Sequence, residues 1–129
     1  MLLNQILDNL RQKYQDADLL IQNKRYANAI YLCGYCVELA LKYAIAKQLN
    51  WPAYRTGGKL KFLKVHDIDI LLPLTGQEIR IKSLPFWSAA VKWDESRRYE
   101  DPALATAQDA VEMLDAAKQL AEELCGISI

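Results

Sequence analysis

Glu38 and Lys42 stand four residues apart in the most apolar stretch of the chain, in the order that lets an acid and a base meet along one helical stripe. Burying either charge alone is costly, so the first reading is a paired polar knot that holds a helical bundle together, with Arg98 as a further partner. The alternative is a cleft floor where Lys42, Arg97 and Arg98 meet a phosphate while Glu38 orients an arginine. Trp93 and Tyr99 flank the two arginines, so they either pack for area or stack on a base while the guanidinium groups hold its phosphate. His66 is the sole imidazole. With Asp67 and Asp69 after it, it reads as a cap or hydrogen-bonded structural His, and as a weak catalytic candidate together with Glu38.

Two other patterns carry less chemistry. Cys33-Gly34-Tyr35-Cys36 falls in mid-helix, away from the helix start that would lower a thiol pKa, and no alternating strand and helix pattern surrounds it. Its spacing to His66 and Cys125 fits no familiar zinc arrangement, so neither metal nor cofactor is expected, and Gly34 reads as a close-packing residue. Thr56-Gly57-Gly58-Lys59 lacks the first glycine and the Ser or Thr of a phosphate loop, since Ala53 and Leu60 occupy those places. The segment is nevertheless basic, with Arg55, Lys59, Lys61 and Lys64 interleaved with Tyr54 and Phe62, and can brush a polyphosphate or an RNA backbone or stay a solvated loop.

The elements that must position these groups are helical. A chain of 129 residues is the size of one domain, spanning 1–129, and 52% apolar with 25% charged residues is enough to build a core. Five Gly and four Pro are few for a turn-rich β-sandwich. Leu3, Leu7, Leu10, Tyr14, Ala17 and Ile21 keep helical spacing in a first amphipathic helix, and Asn23 is expected to take the left-handed turn after it. A second helix over about 26–49 is apolar nearly all round and belongs in the centre, with Trp51-Pro52 ending it and a loop over 53–65.

Further on, residues 66–72 predict a short helix stopped by Pro73, and Thr75 with Glu78 predicts a capping box for a helix or turn at 76–82, a strand being second choice. Pro85 restarts a helix carrying Phe86, Ala90 and Trp93. Asp101-Pro102 predicts the start of a last long helix with Leu104, Ala107, Val111, Leu114, Ala117, Ala121 and Leu124 inward, closed by Gly126. The expectation is an all-α up-and-down bundle of three long helices and two or three short ones.

Charge narrows the function. Sixteen basic groups balance sixteen acidic ones, which excludes a uniformly basic nucleic-acid coat, and residues 101–129 hold six acidic groups against one basic. No basic leader precedes an apolar run at the start, and Asn28, Glu38 and Lys42 interrupt the one long apolar stretch, so a cytoplasmic protein without a membrane segment is expected. The odd set of three cysteines fits a reducing compartment.

The run from Arg25 to Lys42, RYANAIYLCGYCVELALK, resembles the second helix of HEPN domains, the higher eukaryote and prokaryote nucleotide-binding family. His66-Asp67-Ile68 followed by Leu71-Leu72 is similar to the family's short histidine-headed helix, and Trp93 with Arg98-Tyr99 to the segment before its last helix. The resemblance implies a helical bundle, often a homodimer, that binds nucleotide or RNA, serves as a ribonuclease toxin in toxin–antitoxin pairs, or acts beside a nucleotidyltransferase. The ribonuclease members carry Arg, four to six residues, then His. Here the corresponding positions before His66 are Lys59, Leu60 and Lys61, and no His follows Arg97 or Arg98. The implied role is therefore a noncatalytic nucleotide- or RNA-binding module or partner protein, with Lys42, Arg97, Arg98, Trp93 and Tyr99 as ligand contacts. A divergent metal-independent ribonuclease or a structural dimeric scaffold stands as the alternative.

Overall fold

A computed structural model describes residues 1–92 and 101–129. Among them are three long helices, α1 (Leu3–Gln22), α2 (Tyr26–Gln48) and α6 (Ala107–Cys125), and three short ones, α3 (Ile68–Leu74), α4 (Glu78–Lys82) and α5 (Pro85–Lys92). Two 3₁₀ turns, Gly58–Leu63 and Pro102–Leu104, complete the described elements. The fold is the expected all-α bundle.

The central rod is α2, packed against α1, α3 and α6. Its apolar residues point to every side, so only a position covered all round removes them from water, and Val37, Leu41 and Ile45 are fully buried. Each such large side chain contributes on the order of 1.5–3 kcal/mol relative to exposure. The helix has the length and hydropathy of a membrane span, and 72% of that stretch is buried inside the bundle.

Helix α1 turns Ile6, Leu10 and Ala17 inward. Leu7 sits at the edge of that stripe, because Ile6, which the expected spacing omitted, lies nearer its centre. The turn into α2 places the positive φ on Lys24 (61°) and not on Asn23, whose side-chain amide instead donates to the Leu19 carbonyl. At its far end α2 stops before Trp51-Pro52. Asn50 takes the left-handed conformation (φ 56°), and the Trp51 amide returns to the Ala46 carbonyl at 2.8 Å.

Beyond this turn the chain is more ordered than the expected loop. Leu2 pairs with Ala53 in an antiparallel bridge, Tyr54 donates its amide to the Met1 carbonyl at 2.9 Å, and residues 58–63 wind into the first 3₁₀ turn. His66 lies outside α3, which begins after Asp67. The Asp67 carboxylate accepts the Asp69 amide at 2.9 Å. Pro73 lies inside the last turn of α3 and does not stop it; the carbonyl four residues back, which its missing amide cannot serve, belongs to exposed Asp69.

Thr75 does not form the expected capping box with Glu78. Its buried hydroxyl donates to the Leu72 carbonyl at 2.7 Å and accepts the Gln77 amide at 3.1 Å, closing α3 and leaving α4 to start at Glu78. Neither Ile79 nor Ile81 lies in a strand: Ile81 is buried and Ile79 is exposed on opposite sides of the short helix. In α5 the large buried ring is Trp87, with Phe86 half-buried beside it.

The last helix starts later than Asp101-Pro102 predicts. Asp101 accepts the Ala103 amide, but this closes only a 3₁₀ turn. Thr106 then caps α6 in a reciprocal box with Asp109, whose carboxylate accepts the Thr106 amide. The later start goes with an inward face of Ala110, Met113, Ala116, Ala117, Leu120, Ala121 and Leu124, while Leu104 and Val111 are exposed. Gly126 ends the helix in the left-handed conformation, as expected. Arg80 of α4 reaches α6 and donates to both the carboxylate and the backbone carbonyl of Glu123.

Candidate functional site

Tyr31, Tyr35, Glu38 and Lys42 follow one another at intervals of four, three and four residues, so they form a polar stripe along the otherwise apolar α2. At one end the Tyr31 and Tyr35 hydroxyls lie 3.2 Å apart with their rings edge to face, and the Lys13 ammonium of α1 sits over the Tyr35 ring. In the middle is Glu38, only 1% exposed. At the other end the Lys42 ammonium lies 5.5 Å from the centre of the Tyr54 ring.

The segment after α2 folds back onto this stripe. Tyr54, itself buried, donates its hydroxyl to the Leu63 carbonyl at 2.6 Å and so ties the ends of the basic segment together. Three residues beyond Leu63, the imidazole Nδ1 of His66 meets the Glu38 carboxylate at 3.1 Å. The imidazole is half exposed while the carboxylate is buried, so the acid is the floor and the ring is the surface.

The electrostatics follow from burial. Desolvation holds the Lys42 amine below the ordinary lysine value, with the Glu38 charge pulling the other way. Burial pushes the Tyr54 hydroxyl up to about 12, which keeps it a neutral donor. Residues 53–66 contain no acidic side chain, and Arg55, Lys59, Lys61 and Lys64 are all exposed. The Arg55 guanidinium lies 5.5 Å from the Trp51 ring centre, anchored on an aromatic face.

Glu38, Lys42 and His66 are thus brought together, though in a different pattern from the one the spacing predicts. Glu38 makes its described ion pair with His66, and among the described residues no ion pair joins it to Lys42. The i to i+4 spacing permits that pair, but the Lys42 ammonium lies over the Tyr54 ring, while the imidazole brought in by the loop meets the carboxylate at Oε2. Trp93, Arg97, Arg98 and Tyr99 lie outside the described residues.

Tyr54 is the member that sequence reasoning undervalued. It stood out only as an aromatic among basic residues, and nothing local marks a hydroxyl that closes a nine-residue span. The stripe of residues 31, 35, 38 and 42, by contrast, is visible in the spacing alone.

Two of the cysteines are built into the core, and Cys125 packs partly buried against it. Cys33 and Cys36 are fully buried, and Cys36 donates to the Leu10 carbonyl. Burial raises all three thiols, Cys36 and Cys125 to about 12. Among the described residues no group of three or more His, Cys, Asp or Glu is arranged to hold a metal ion.

A buried carboxylate that fixes a surface imidazole beside a half-buried ammonium, next to a basic segment, is an arrangement suited to an anion. Comparison with known proteins agrees with the architecture. A HEPN domain family model matches residues 6–127. No curated protein and no solved structure gave a significant match. With nearly its whole length matched and the helical bundle in place, the chain belongs to the HEPN domain family.

Proposed function

We propose that this domain is a noncatalytic nucleotide- or RNA-binding module that holds ligand phosphate over Lys42, His66 and the basic segment 53–66. The observation that carries the reading is the Glu38 and His66 pair, because it anchors an acid-free cationic segment onto the buried α2 stripe. Cations held on a fixed frame lose less freedom on binding a phosphate than cations on a free loop, so the same charges bind more tightly. Lys42 adds an ammonium already stripped of part of its water. Arg97, Arg98, Trp93 and Tyr99 are proposed to complete the contacts. Family membership extends the proposal to a homodimer acting beside a nucleotidyltransferase in a stress or defence system.

Titration calorimetry with ATP and anisotropy with a short labelled RNA test this reading. Micromolar or tighter binding that weakens as salt is raised supports it, and so does a loss of tenfold or more in a Lys42→Met protein. No binding of either ligand at 50 mM salt overturns it.

One observation favours a second reading, a divergent ribonuclease. A carboxylate on Nδ1 orients the imidazole for proton transfer at the opposite nitrogen, the usual arrangement of an acid–base histidine. The family's arginine is missing before His66, where Lys59 to Lys61 stand, so the phosphate clamp would have to come from elsewhere. RNA cleavage that persists in chelator and disappears in a His66→Ala protein would establish this reading over the first.

A further inference from the structure

We propose that Phe62 is a base-stacking platform, and that the ligand class of this face is a single-stranded polynucleotide, neither a duplex nor a free nucleotide. The inference rests on the phosphate-binding reading above and supplies what cations alone do not, a surface for the bases.

The geometry comes from the 3₁₀ turn Gly58–Leu63. With three residues per turn, side chains three apart fall on one side, so the turn has three sides. Leu60 and Leu63 make the inner one: Leu63 is buried and Leu60 packs against the core. Lys59 and Phe62 share the second, one turn apart, and Lys61, followed by Lys64 just past the end, marks the third. Phe62 is 62% exposed, and among the described residues it is the one aromatic side chain that stands mostly in solvent. Lys59, Lys61 and Lys64 are exposed around it.

A lone exposed apolar side chain needs no explanation on a protein surface. This ring differs because its backbone is held. The buried Tyr54 hydroxyl donates to the carbonyl of Leu63, the next residue, at 2.6 Å, while Leu60 and Leu63 grip the bundle on the inner side. Gly58 takes the left-handed conformation (φ 60°) at the start of the turn. The backbone under Phe62 is thus fixed before any ligand arrives, and a ring on a fixed backbone loses little freedom when a base lies on it.

Every base has a flat π-face, so stacking on a phenyl ring tolerates any sequence, and ammonium groups beside the ring meet the flanking phosphates. One turn of 3₁₀ helix advances about 6 Å, which puts Lys59 within reach of the phosphate of a base lying on Phe62. Lys61 and Lys64, along the adjacent side, serve the next phosphates, and no acidic side chain in residues 53–66 opposes them. A duplex keeps its bases stacked on one another and has no free face to give. A mononucleotide covers the ring and leaves part of the cationic segment unused.

The test measures affinity at one salt concentration for a labelled ten-nucleotide RNA without self-pairing, the same RNA annealed to its complement, a ten-mer of abasic phosphates, and ATP as a competitor. The single strand is expected to bind about tenfold more tightly than each of the other three. Phe62→Leu, which stays apolar and loses the π-face, should weaken the single strand about tenfold and leave the abasic ten-mer unchanged, while Phe62→Tyr keeps the affinity of the unaltered protein. The slope of affinity against salt should stay the same in Phe62→Leu and fall in Lys59→Met, because only the second removes a phosphate contact. Thermal melts check that each variant is folded.

A Phe62→Leu protein that binds the single strand as tightly as before overturns the inference. Equal affinity for the strand and its abasic counterpart, or for the strand and the duplex, does the same. ATP binding as tight as that of the strand, and lost in Phe62→Leu, would make the ring a platform for a free nucleotide and also overturn it. In each of these cases a ligand binds and the phosphate-binding reading stands; if none of the four binds, both fall.

Discussion

The imidazole of His66 meets the carboxylate of Glu38 across 28 residues of sequence at 3.1 Å, and this contact pins the segment between α2 and α3 to the middle of the bundle. A charge-assisted hydrogen bond of this kind is worth about 1.5–3 kcal/mol when shielded, and the half exposure of the ring reduces it below that range. His66→Ala is expected to lower the unfolding free energy by about 1 kcal/mol in urea denaturation. Glu38→Ala should cost more, because it also opens a void in the core. A His66→Ala protein that loses 3 kcal/mol or more would show the pair to be chiefly structural.

Lys42 should trade stability for binding. Desolvation lowers its folded pKa, so the folded state penalises the charged amine more than the unfolded chain does. Stability therefore rises as pH climbs through the lowered folded value toward the ordinary lysine value near 10.5, and this rise should vanish in Lys42→Met. At pH 7 the Met variant is expected to be at least as stable as the unaltered protein while binding phosphate ligands more weakly. Denaturation curves at pH 7 and pH 10 check both halves, and a Met variant that is clearly less stable at pH 7 would show that the Tyr54 contact outweighs the burial.

Asp109 carries an acid-side prediction. Desolvation acts to raise its carboxyl, but the hydrogen bonds from Thr106 and the charge of Lys92 outweigh it, and the net folded value lies below the usual aspartate value. A depressed folded pKa contributes stability above the unfolded value near 4 and loses it as pH falls through the folded one. The unaltered protein should therefore be more stable than Asp109→Asn at pH 6, with the gap narrowing below pH 4. Thr106→Ala, which removes the other half of the box, is expected to cost about 1 kcal/mol at pH 6. A gap that does not change with pH would show that the box works through its shape and not its charge.

The thiols of Cys33 and Cys36 should be silent in the folded protein. Cys33 and Cys36 are buried, and burial raises all three. A thiol reagent at pH 8 is expected to label Cys33 and Cys36 only on the timescale of unfolding, and all three cysteines promptly in 6 M guanidinium. Fast labelling of Cys33 or Cys36 under native conditions would contradict the packing of α1 on α2.

Much of this architecture can be read from the chain because helical periodicity is a local property. The spacing of apolar residues yields three long helices, and the all-round apolarity of α2 places it in the centre. Boundaries are less legible where two local signals compete. Asp101-Pro102 and Thr106 are both good helix starts, and only the packing of Met113 and Leu120, with Val111 left outside, makes Thr106 the one that begins α6. Likewise Asn23 and Lys24 were both free to close α1, and the path into α2 decided for Lys24.

The candidate site divides along the same line. Sequence by itself determined that Glu38 and Lys42 share a stripe of a buried helix, that His66 is the only imidazole, that no arginine precedes it at the ribonuclease spacing, and that residues 53–66 are basic without an acid. Only the tertiary structure decided that Glu38 takes His66 as its described ion-pair partner, and that Lys42 turns to Tyr54. The physical reason is that a buried carboxylate is satisfied by whichever donor the folded chain brings within hydrogen-bond reach. That donor arrives from a segment whose path depends on the Tyr54 to Leu63 closure and on packing of the whole bundle, quantities that spacing along the chain does not encode.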